Sequence, residues 1–508
     1  MGDQTISRRG FLGAGSAALG LSVLGPGTML GGKSLLTGTG VPWGQLQAKL
    51  QGTLVLPSDA AYATAKELDL LQFSSINPQA IAYCASPADV ALCLSFAQHN
   101  GVPIATRSGG HSLGGYSTTQ GLVIDVSRLN SITVAGGAVT IGAGAENVDV
   151  LNALAPSGLA LVGGACPTVA AGGFIQGGGI GFLSPSLGMA CDSLTSAQVV
   201  LASGQVVTAS AQQHSDLYWA LRGGGGGNFG VVTSFTLTPS AVTNVIVSTL
   251  VFGSGQAQDM LAGYTQWLAG APRTIGGAAV VTLADSAAGN TPVPTIILVS
   301  VGTSGELATE TSRLLALTGS PVSQGASTLP YQAFMMGLYG CSSLTVGDCH
   351  LSPMGQLPRA AFAVERSRMF DGPIADSGWA GALAAFDGGR VAGETHELQV
   401  LPAGGAISAL GRSATAYAHR TSLYMVVYSA SVAGASATAA QQAGGRRWAS
   451  DGFAAIDPYS NGETYQNFID PALAGWQLAY YAENYPRLVA VKTAYDPDRV
   501  FRFAQSIA

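Results

Sequence analysis

Two nucleophilic side chains lie in glycine-rich stretches of a chain of 508 residues. His111 is at the centre of RSGGHSLGG, and Cys166 is near the start of VGGACPTVAAGGFIQGGGIG. Glycine lets the backbone approach a flat or phosphorylated ligand closely and adopt positive φ. The imidazole and the thiol can therefore both contact one bound molecule. The residues alone leave open whether that molecule is a metal ion, a substrate or a cofactor.

A metal ion is one candidate. Zinc sites use three or four ligands at characteristic spacings. The chain contains only six histidines, and no two of them have such a spacing. His350 directly follows Cys349, and adjacent residues are poorly placed to bind one ion. The sequence therefore predicts no metal site.

A secreted cysteine hydrolase is a second candidate, with Cys166 as nucleophile and His111 as base. The sequence shows no partner that would orient the histidine or stabilise an oxyanion, and the surrounding glycines stay unexplained. A buried cysteine and a turn-stabilising histidine are the purely structural alternative.

A third glycine run contains Gly225, Gly227 and Gly230 in the spacing G-x-G-x-x-G. A Rossmann fingerprint follows a strand and opens a helix. Here a helical pattern precedes the glycines and a strand pattern follows them, which argues against a Rossmann nicotinamide site. Such a loop still suits backbone contacts to phosphate or to a ring carbonyl.

Composition and the N-terminus limit the class of protein. Charged residues make up 10% of the chain, the net charge is −6 and no basic tract occurs, which argues against nucleic acid and anionic membrane surfaces as partners. Arg8 and Arg9 precede an apolar stretch at residues 11–24. This pattern predicts twin-arginine export to the periplasm or the extracellular space, with residues 1–45 as signal and leader. No segment is long enough to predict a membrane span.

The rest of the sequence predicts an α+β fold with two domains. Residues 87–101 have helical spacing, with a proline at the start and a glycine at the end. Residues 196–210 have the pattern of a β-hairpin with a Ser-Gly turn. Between 246 and 440, long apolar strands alternate with helical stretches, which predicts a sheet covered by helices.

Six cysteines in an exported chain permit disulfides. Cys341 and Cys349 bracket a short loop, and Cys84 and Cys93 are the other close pair. Each pair can equally be two buried thiols, because spacing does not fix geometry.

Several segments resemble the FAD-linked oxidases of the berberine bridge enzyme family, whose fold is that of the vanillyl-alcohol-oxidase-type (PCMH-type) flavoproteins. The resemblance covers the predicted cofactor domain and the C-terminus, and the central domain matches weakly. The matching segments are PIATRSGGHSLGGYST (103–118), GLVIDVSRLN (121–130), GGACPTVAAGGFIQGGGIGFLS (163–184), DLYWALRGGGGGNFGVVTSF (216–235) and YYAENYPRLVAVKTAYDPDRVFRFAQSI (480–507).

The resemblance implies a domain organisation. A PCMH-type FAD-binding domain of two subdomains is expected at residues 46–245. A substrate-binding domain with an antiparallel sheet covered by helices is expected at 246–455. Residues 456–508 are expected to return to the FAD domain. The expected partners are a small-molecule substrate and O₂, and the chain is expected to be a monomer or a homodimer.

The resemblance also implies the cofactor. In the family, the histidine after RSGG bonds to the flavin 8-methyl group, and the cysteine before PTV bonds to flavin C6. We therefore expect FAD held covalently through His111 and Cys166, which in the family raises the redox potential of the flavin. The other residues expected to bind the cofactor are Arg107, Ser108, Gly109, Gly110, Ser112, Gly172, Gly173, Gly177, Gly178, Gly179, Gly230, Val232 and Asn484.

Catalysis then needs a base that takes a substrate proton while hydride goes to flavin N5. Tyr481 is the expected base and Tyr480 the fallback, because related bacterial oxidases use tyrosines near the flavin. Tyr417 is expected to face the substrate. A phenol has a pKa of about 10, so its ionisation near neutral pH needs help. Alternation along one strand places Glu397 and Gln399 on one face, where they are expected to face the flavin and the substrate unless Glu397 is exposed to solvent.

Val169 indicates which electron acceptor the resemblance implies. In the family, a small aliphatic residue at this position accompanies reaction with oxygen, and a bulkier one tends to block it. The resemblance thus implies an oxidase that acts on an alcohol, a sugar or a natural-product carbon and reduces O₂ to H₂O₂. A covalent-flavin dehydrogenase or oxidative cyclase with another acceptor, and a flavin-binding protein without activity, are the alternatives.

Overall fold

The computed structural model describes residues 40–508. The twin-arginine pattern at Arg8 and Arg9 and the apolar stretch after it lie outside the described residues. Between residues 40 and 508, no helix is both long and apolar enough to cross a bilayer.

The N-terminal part of the fold contains two main sheets and short helices. The helices are α1 (Trp43–Gln47), α2 (Tyr62–Ala65), α3 (Pro87–His99), α4 (Asn147–Leu154), α5 (Ala171–Gln176), α6 (Ser184–Leu187) and α7 (Ser215–Ala220). The strands are β1 (Thr53–Val55), β2 (Ala80–Tyr83), β3 (Ile104–Arg107), β4 (Leu122–Asp125), β5 (Ile132–Ala135), β6 (Ala138–Gly142), β7 (Leu159–Ala160), β8 (Leu194–Val200), β9 (Val206–Ser210), β10 (Val231–Leu237) and β11 (Ser240–Ala241).

These strands pair locally and across the chain. One sheet has the order β1-β2-β4-β3, with β4 parallel to both neighbours. A second, antiparallel sheet has the order β5-β6-β10-β8-β9, and β7 pairs with β11. The segments that carry His111 and Cys166 follow β3 and β7 respectively, so both leave strands of this part of the fold.

The remaining chain forms one large sheet and its covering helices. The strands are β12 (Asn244–Val251), β13 (Ile275–Leu283), β14 (Val293–Ser300), β15 (Ser323–Pro330), β16 (Phe362–Phe370), β17 (Glu394–Pro402) and β18 (Tyr424–Val432). They are antiparallel in the order β15-β12-β14-β13-β17-β18-β16. The helices are α8 (Ala257–Leu268), α9 (Ser304–Thr318), α10 (Tyr331–Leu338), α11 (Asp376–Asp387), α12 (Ala439–Ile456), α13 (Trp476–Tyr481) and α14 (Tyr485–Tyr495).

The side chains of β17 alternate between two environments. Leu398 and Val400 belong to a core that the large sheet shares with residues of α8, α11 and α12, such as Trp448. Glu397 and Gln399 point to the other face, toward the N-terminal part of the fold. Because side chains alternate along a strand, one face of the sheet is free to line a site while the other is packed against helices.

The α+β class and the sheet covered by helices are confirmed. The predicted helix at 87–101 is α3, which Ser86 caps by accepting a hydrogen bond from the Asp89 N–H. The predicted hairpin is the antiparallel pair β8–β9. The domain boundaries at 245 and 455 stay predictions, although the large sheet begins close to the first of them, at Asn244.

The two cysteine pairs differ. Cys341 and Cys349 form a disulfide. Cys84, directly after β2, and Cys93, in α3, are buried thiols that contact each other without forming a disulfide. Their environment is the apolar core of the N-terminal part, where cysteine packs as a small hydrophobic residue.

Candidate active site

His111 and Cys166 line the same cavity, which has a volume of about 610 Å³. Its floor consists of the glycine-rich segments of the N-terminal part. Its roof is the free face of the large sheet, and the segment around α13 closes one side. The structure thus brings together two residues that are 55 positions apart by their numbers in the sequence.

The histidine loop packs directly against the segment that follows the cysteine. His111 Nε2 lies 2.9 Å from Thr168 Oγ1, and its Nδ1 lies 3.3 Å from Asp69 Oδ2. A Cβ on Gly109 would lie 2.8 Å from both the Thr168 carbonyl oxygen and the Ala170 nitrogen. Glycine at this position is therefore what allows the two loops to touch.

The cysteine loop is held by the start of α4. The Asn147 side chain donates a hydrogen bond from Nδ2 to the Cys166 carbonyl oxygen at 2.9 Å, and its backbone N–H donates to the Val169 carbonyl at 3.0 Å. Cys166 is half-buried, and Val169 lines the cavity beside it. These bonds fix the backbone of the loop while the thiol faces the cavity.

Two further glycine segments face each other across the cavity floor. Gly172 and Gly173 lie in α5, and a Cβ on Gly226 would lie 3.6 Å from the Gly173 Cα. The Gly223 and Gly225 N–H groups both donate to the Gln176 carbonyl, at 2.9 and 3.0 Å. The two segments therefore form one smooth surface of backbone with little side-chain bulk.

Several buried polar atoms of the cavity wall have no hydrogen-bond partner in the described part of the chain. They are Arg107 Nη1, Thr118 Oγ1, Gln466 Oε1 and Gln505 Oε1. Arg107 also forms an ion pair with Asp125 through Nε. Buried polar groups are nearly always satisfied, so these atoms point to a ligand with many polar groups. A flat ring over the glycines with a polar chain beside these atoms fits FAD.

Most of the residues predicted to bind the cofactor lie on the cavity wall. They are Arg107, Ser108, Gly109, Gly110, Ser112, Gly172, Gly173, Gly230 and Val232, together with His111 and Cys166.

Gly177, Gly178 and Gly179 lie behind the wall instead. A Cβ on Gly177 would lie 1.8 Å from Asn467 Oδ1, and the Gly179 N–H donates to the Tyr465 hydroxyl at 2.8 Å. Gly178 and Gly179 have φ of +120° and +81°. These three glycines form a tight turn that lets the 465–467 segment approach, and their contact with the cofactor stays a prediction.

Tyr417 and Asn484 also lie outside the cavity wall. Tyr417 is fully buried, and a Cβ on Gly223 would lie 2.1 Å from its backbone nitrogen. Asn484 donates from Nδ2 to the carbonyls of Arg412 (2.8 Å) and Thr415 (3.2 Å). The contacts of Tyr417 with substrate and of Asn484 with cofactor stay predictions, and the structure places both residues behind the glycine run, outside the cavity wall.

Tyr480 and Tyr481 line the cavity, but their hydroxyls are engaged with the backbone. The Asp470 N–H donates to the Tyr480 oxygen at 2.8 Å, and the Tyr481 hydroxyl donates to the Gly224 carbonyl at 3.1 Å. Burial raises the pKa of both phenols above the usual 10. Both side chains are therefore protonated near neutral pH.

Glu397 and Gln399 line the cavity and are buried rather than exposed to solvent. Gln399 Nε2 donates to Glu397 Oε2 at 2.9 Å. Burial raises the pKa of Glu397 to about 8. Glu365, which sequence reasoning missed, lies on the same wall, and burial raises its pKa to about 7. The signal for Glu365 was a carboxylate at an alternate position of FAVERSRMF, which is a strand pattern.

One cluster outside the cavity has the side chains of a metal site. Glu146, Asp149 and His350 each offer a ligand atom, and these atoms lie within 4.8 Å of one another. His350 Nε2 already contacts Asp149 Oδ2 at 3.1 Å. The arrangement is an ion pair between the N-terminal end of α4 and His350, which directly follows the disulfide-bonded Cys349.

Comparisons with known proteins agree with this site. Residues 78–210 match the model of the FAD binding domain, and residues 464–508 match that of berberine and berberine-like proteins. The protein "Uncharacterized FAD-linked oxidoreductase YgaK" of Bacillus subtilis is 29% identical over 91% of this chain and 98% of its own. The (R)-6-hydroxynicotine oxidase of Paenarthrobacter nicotinovorans is 38% identical over 36% of this chain and 40% of its own.

Solved structures share the fold. The BBE-like 1 protein of Physcomitrella patens superimposes with a TM-score of 0.82 at 26% identity, over 92% of this chain and 98% of its own. The two matching domain models contain the histidine and cysteine loops and the tyrosine-bearing C-terminal segment. The chain thus contains an FAD-binding domain and a berberine-like C-terminal segment, and over almost its whole length it is similar to FAD-linked oxidoreductases and has the fold of a berberine bridge enzyme-like protein.

Proposed function

We propose that the chain is an oxidase with FAD attached covalently through His111 and Cys166. The observation that carries the proposal is that both nucleophiles line one cavity whose wall also holds unsatisfied buried polar atoms. When bound, FAD supplies a two-electron acceptor that takes hydride from a small molecule and passes the electrons to O₂, giving H₂O₂. Val169 lines the cavity, and a small aliphatic residue at this position accompanies reaction with oxygen in the family, which supports this choice.

The chain's own residues divide the remaining work. The glycine segments around Gly109, Gly173 and Gly226 let backbone lie against a flat ring. The Arg107 guanidinium, buried beside Asp125, offers Nη1 to a polar group of the cofactor. The roof of the cavity, with Glu397 and Gln399, is left for the substrate.

The geometry favours a proton acceptor other than the one expected from the sequence. Tyr481 was expected to be the base, yet burial raises its pKa and its hydroxyl donates to a carbonyl. Glu397 is buried on the roof with a pKa of about 8. A base works best when its pKa is near the working pH. We therefore assign the substrate proton to the Glu397 carboxylate, with Tyr481 as a hydrogen-bonding group of the wall.

The attachment is tested by intact mass and absorption spectra of the purified, acid-denatured protein. We expect a mass increase of one FAD that survives denaturation in the wild type. His111→Ala and Cys166→Ala should each keep FAD through the other residue, and the double variant should release it. Protein from FAD-replete cells that carries no bound flavin after denaturation would contradict the proposal.

The acceptor is tested separately by peroxide formation with a panel of amines, alcohols and sugars. An oxidase releases H₂O₂ as it consumes substrate. Turnover only with an artificial acceptor such as a dye, and not with O₂, would instead indicate a dehydrogenase. If the protein is a dehydrogenase, Val169→Leu, which narrows the cavity beside Cys166, should turn over substrate with the dye at the wild-type rate.

A further inference from the structure

Four polar side chains form a row across the face of the large sheet that covers the cavity. Thr282 on β13 is paired with Glu397 on β17. Ser429 on β18 is paired with Glu397 on one side and with Glu365 on the other. Neighbouring strands lie about 4.8 Å apart, so two carboxyl groups flank one serine. We call these four residues the polar row.

Neither carboxyl group of the polar row has a basic partner among the described residues. Glu365 accepts a hydrogen bond from Ser429 Oγ at 3.3 Å. Glu397 accepts from Gln399 Nε2 at 2.9 Å and from Thr282 Oγ1 at 3.5 Å. Burial raises both pKa values, and Glu365 adds to the shift of Glu397, while no basic side chain contributes to either.

The basic groups elsewhere on the cavity wall are already engaged or exposed. Arg107 pairs with Asp125, and His111 contacts Asp69. Arg502 is exposed to solvent. The other titratable side chains on the wall are Cys166, Tyr116, Tyr465, Tyr480 and Tyr481. Two buried carboxyls that share one face without a cation are costly to ionise, so a cation brought by a ligand would compensate them.

Aromatic side chains complete the surroundings. Phe174, Phe182, Tyr465 and Phe468 line the same cavity as Glu365, Glu397 and Ser429 of the polar row. Aromatic faces attract organic ammonium groups, especially where water is excluded. A neutral alcohol or sugar would gain hydrogen bonds here but would leave the carboxylate charge uncompensated.

We propose that the substrate is an organic amine that enters as an ammonium ion and is bound by Glu365 and Glu397. This inference rests on the proposed function, since it names the substrate class of the same cavity. The ammonium N–H bond breaks and its proton goes to a carboxylate. The adjacent C–H bond then breaks, its hydrogen and electron pair go to a flavin oxidant, which the proposed function supplies, and a C=N⁺ bond forms in the product.

The experiment measures binding without turnover. The probe is 2-phenylpropan-2-amine, and its neutral isostere is 2-phenylpropan-2-ol. Neither has hydrogen on the carbon next to the heteroatom, so neither can be oxidised there. Like a lysine amine, the probe stays protonated below a pH of about 9. Titration calorimetry on the FAD-loaded protein at pH 8.5 should show the ammonium binding at least about tenfold more tightly, equivalent to about 1.4 kcal/mol.

The pH dependence and the variants test the assignment to the polar row. The preference should fall as the pH drops through 8 and 7, because Glu397 and Glu365 become protonated. Glu365→Gln and Glu397→Gln should each reduce the preference to about threefold or less. Asp451→Asn, which neutralises an exposed carboxylate on α12, should keep it. Two glutamine variants are used so that misfolding of one leaves the other informative.

Equal binding of amine and alcohol at pH 8.5 would overturn the proposal, as would an undiminished preference in both glutamine variants. The result is separable from the proposed function. A missing covalent flavin or missing peroxide would defeat the oxidase assignment, whereas this measurement requires no turnover and addresses only the class of ligand.

Discussion

At the scale of single residues, the side chains proposed for flavin attachment and those proposed for proton transfer lie on different sides of the cavity. His111 and Cys166 are held by short polar contacts on the floor, through Thr168 and Asn147. Glu397 lies on the opposite roof, and Tyr481 lies on the side wall with its hydroxyl bonded to the backbone. The expected base Tyr481 and the proposed base Glu397 therefore differ in their surroundings, and their pKa values differ in consequence.

Glu397 should control the pH dependence of turnover. Burial raises its pKa from 4.5 to about 8, so the carboxylate form that accepts a proton is populated as the pH rises through 8. We expect kcat/KM to increase with pH and to level off above that value. Glu397→Gln should lose this increase and lower the rate by about 10²–10⁴-fold, the range for general bases.

The matched variant is Tyr481→Phe, which should lower the rate but keep the increase with pH. Initial rates from pH 6 to 9.5 give both profiles. An increase that vanishes in Tyr481→Phe and persists in Glu397→Gln would identify the phenol as the base.

At the scale of elements, His350, which directly follows the disulfide-bonded Cys349, contacts the N-terminal end of α4. His350 Nε2 lies 3.1 Å from Asp149 Oδ2 and 3.7 Å from Glu146 Oε2. The same end of α4 holds the cysteine loop through Asn147. The hydrogen bond to Asp149 raises the pKa of His350 to about 9, and burial raises that of Glu146 to about 7.

This ion pair should stabilise the protein in a defined pH window. The folded state raises the pKa of His350 from 6.5 to about 9, so its contribution is full below pH 6.5 and is lost as the pH rises through 9. We expect His350→Gln to lower the free energy of unfolding at pH 6.5 by up to about 1 kcal/mol, because both partners are partly exposed.

The difference between His350→Gln and wild type should shrink toward zero at pH 10, as followed by thermal unfolding. His99→Gln, an exposed histidine at the end of α3, is the control and should show no such window. A destabilisation by His350→Gln that is equal at pH 6.5 and pH 10 would contradict the ion-pair explanation.

Sequence reasoning located the elements, the floor of the site and two residues of its roof, Glu397 and Gln399, but not the rest of the roof. The helix α3 and the β8–β9 hairpin follow from local signals, namely a capped apolar repeat and a Ser-Gly turn. Glu365 became part of the site only through strand pairing with Ser429, which is 64 residues away. Local patterns do not determine such register between distant strands.

The same limit explains Tyr417 and Asn484. Asn484 closely follows the cavity residues Tyr480 and Tyr481 in the sequence, yet its side chain donates to the Arg412 carbonyl outside the cavity wall, and Tyr417 packs behind Gly223. Sequence proximity to a motif places a residue near a wall, while the side of the wall depends on packing between segments far apart in the chain.

At the scale of the whole molecule, the C-terminal segment fastens the cofactor floor. Lys492 on α14 is buried, and its Nζ donates to the Asn228 carbonyl at 2.6 Å and to Asp496 Oδ2 at 2.7 Å. The Ile507 N–H donates to Asn228 Oδ1 at 3.0 Å. Asn228 itself lines the cavity at the end of the third glycine run. Residues of the last turn of the chain thus hold a loop that lies 279 positions earlier.

Lys492→Met should therefore impair FAD incorporation as well as stability. Removing the ammonium leaves Asp496 buried without its cation, and breaking a buried ion pair on one side costs about 3–5 kcal/mol. Because Lys492 also binds the Asn228 carbonyl, the loss should loosen the glycine run that forms the floor. We expect a lower melting temperature and a reduced fraction of flavin retained per protein after purification. Thr493→Ala, an exposed position on the same helix, should change neither quantity. A stable Lys492→Met protein with full flavin content would show that the floor keeps its shape without this tie, and that the C-terminal segment merely covers it.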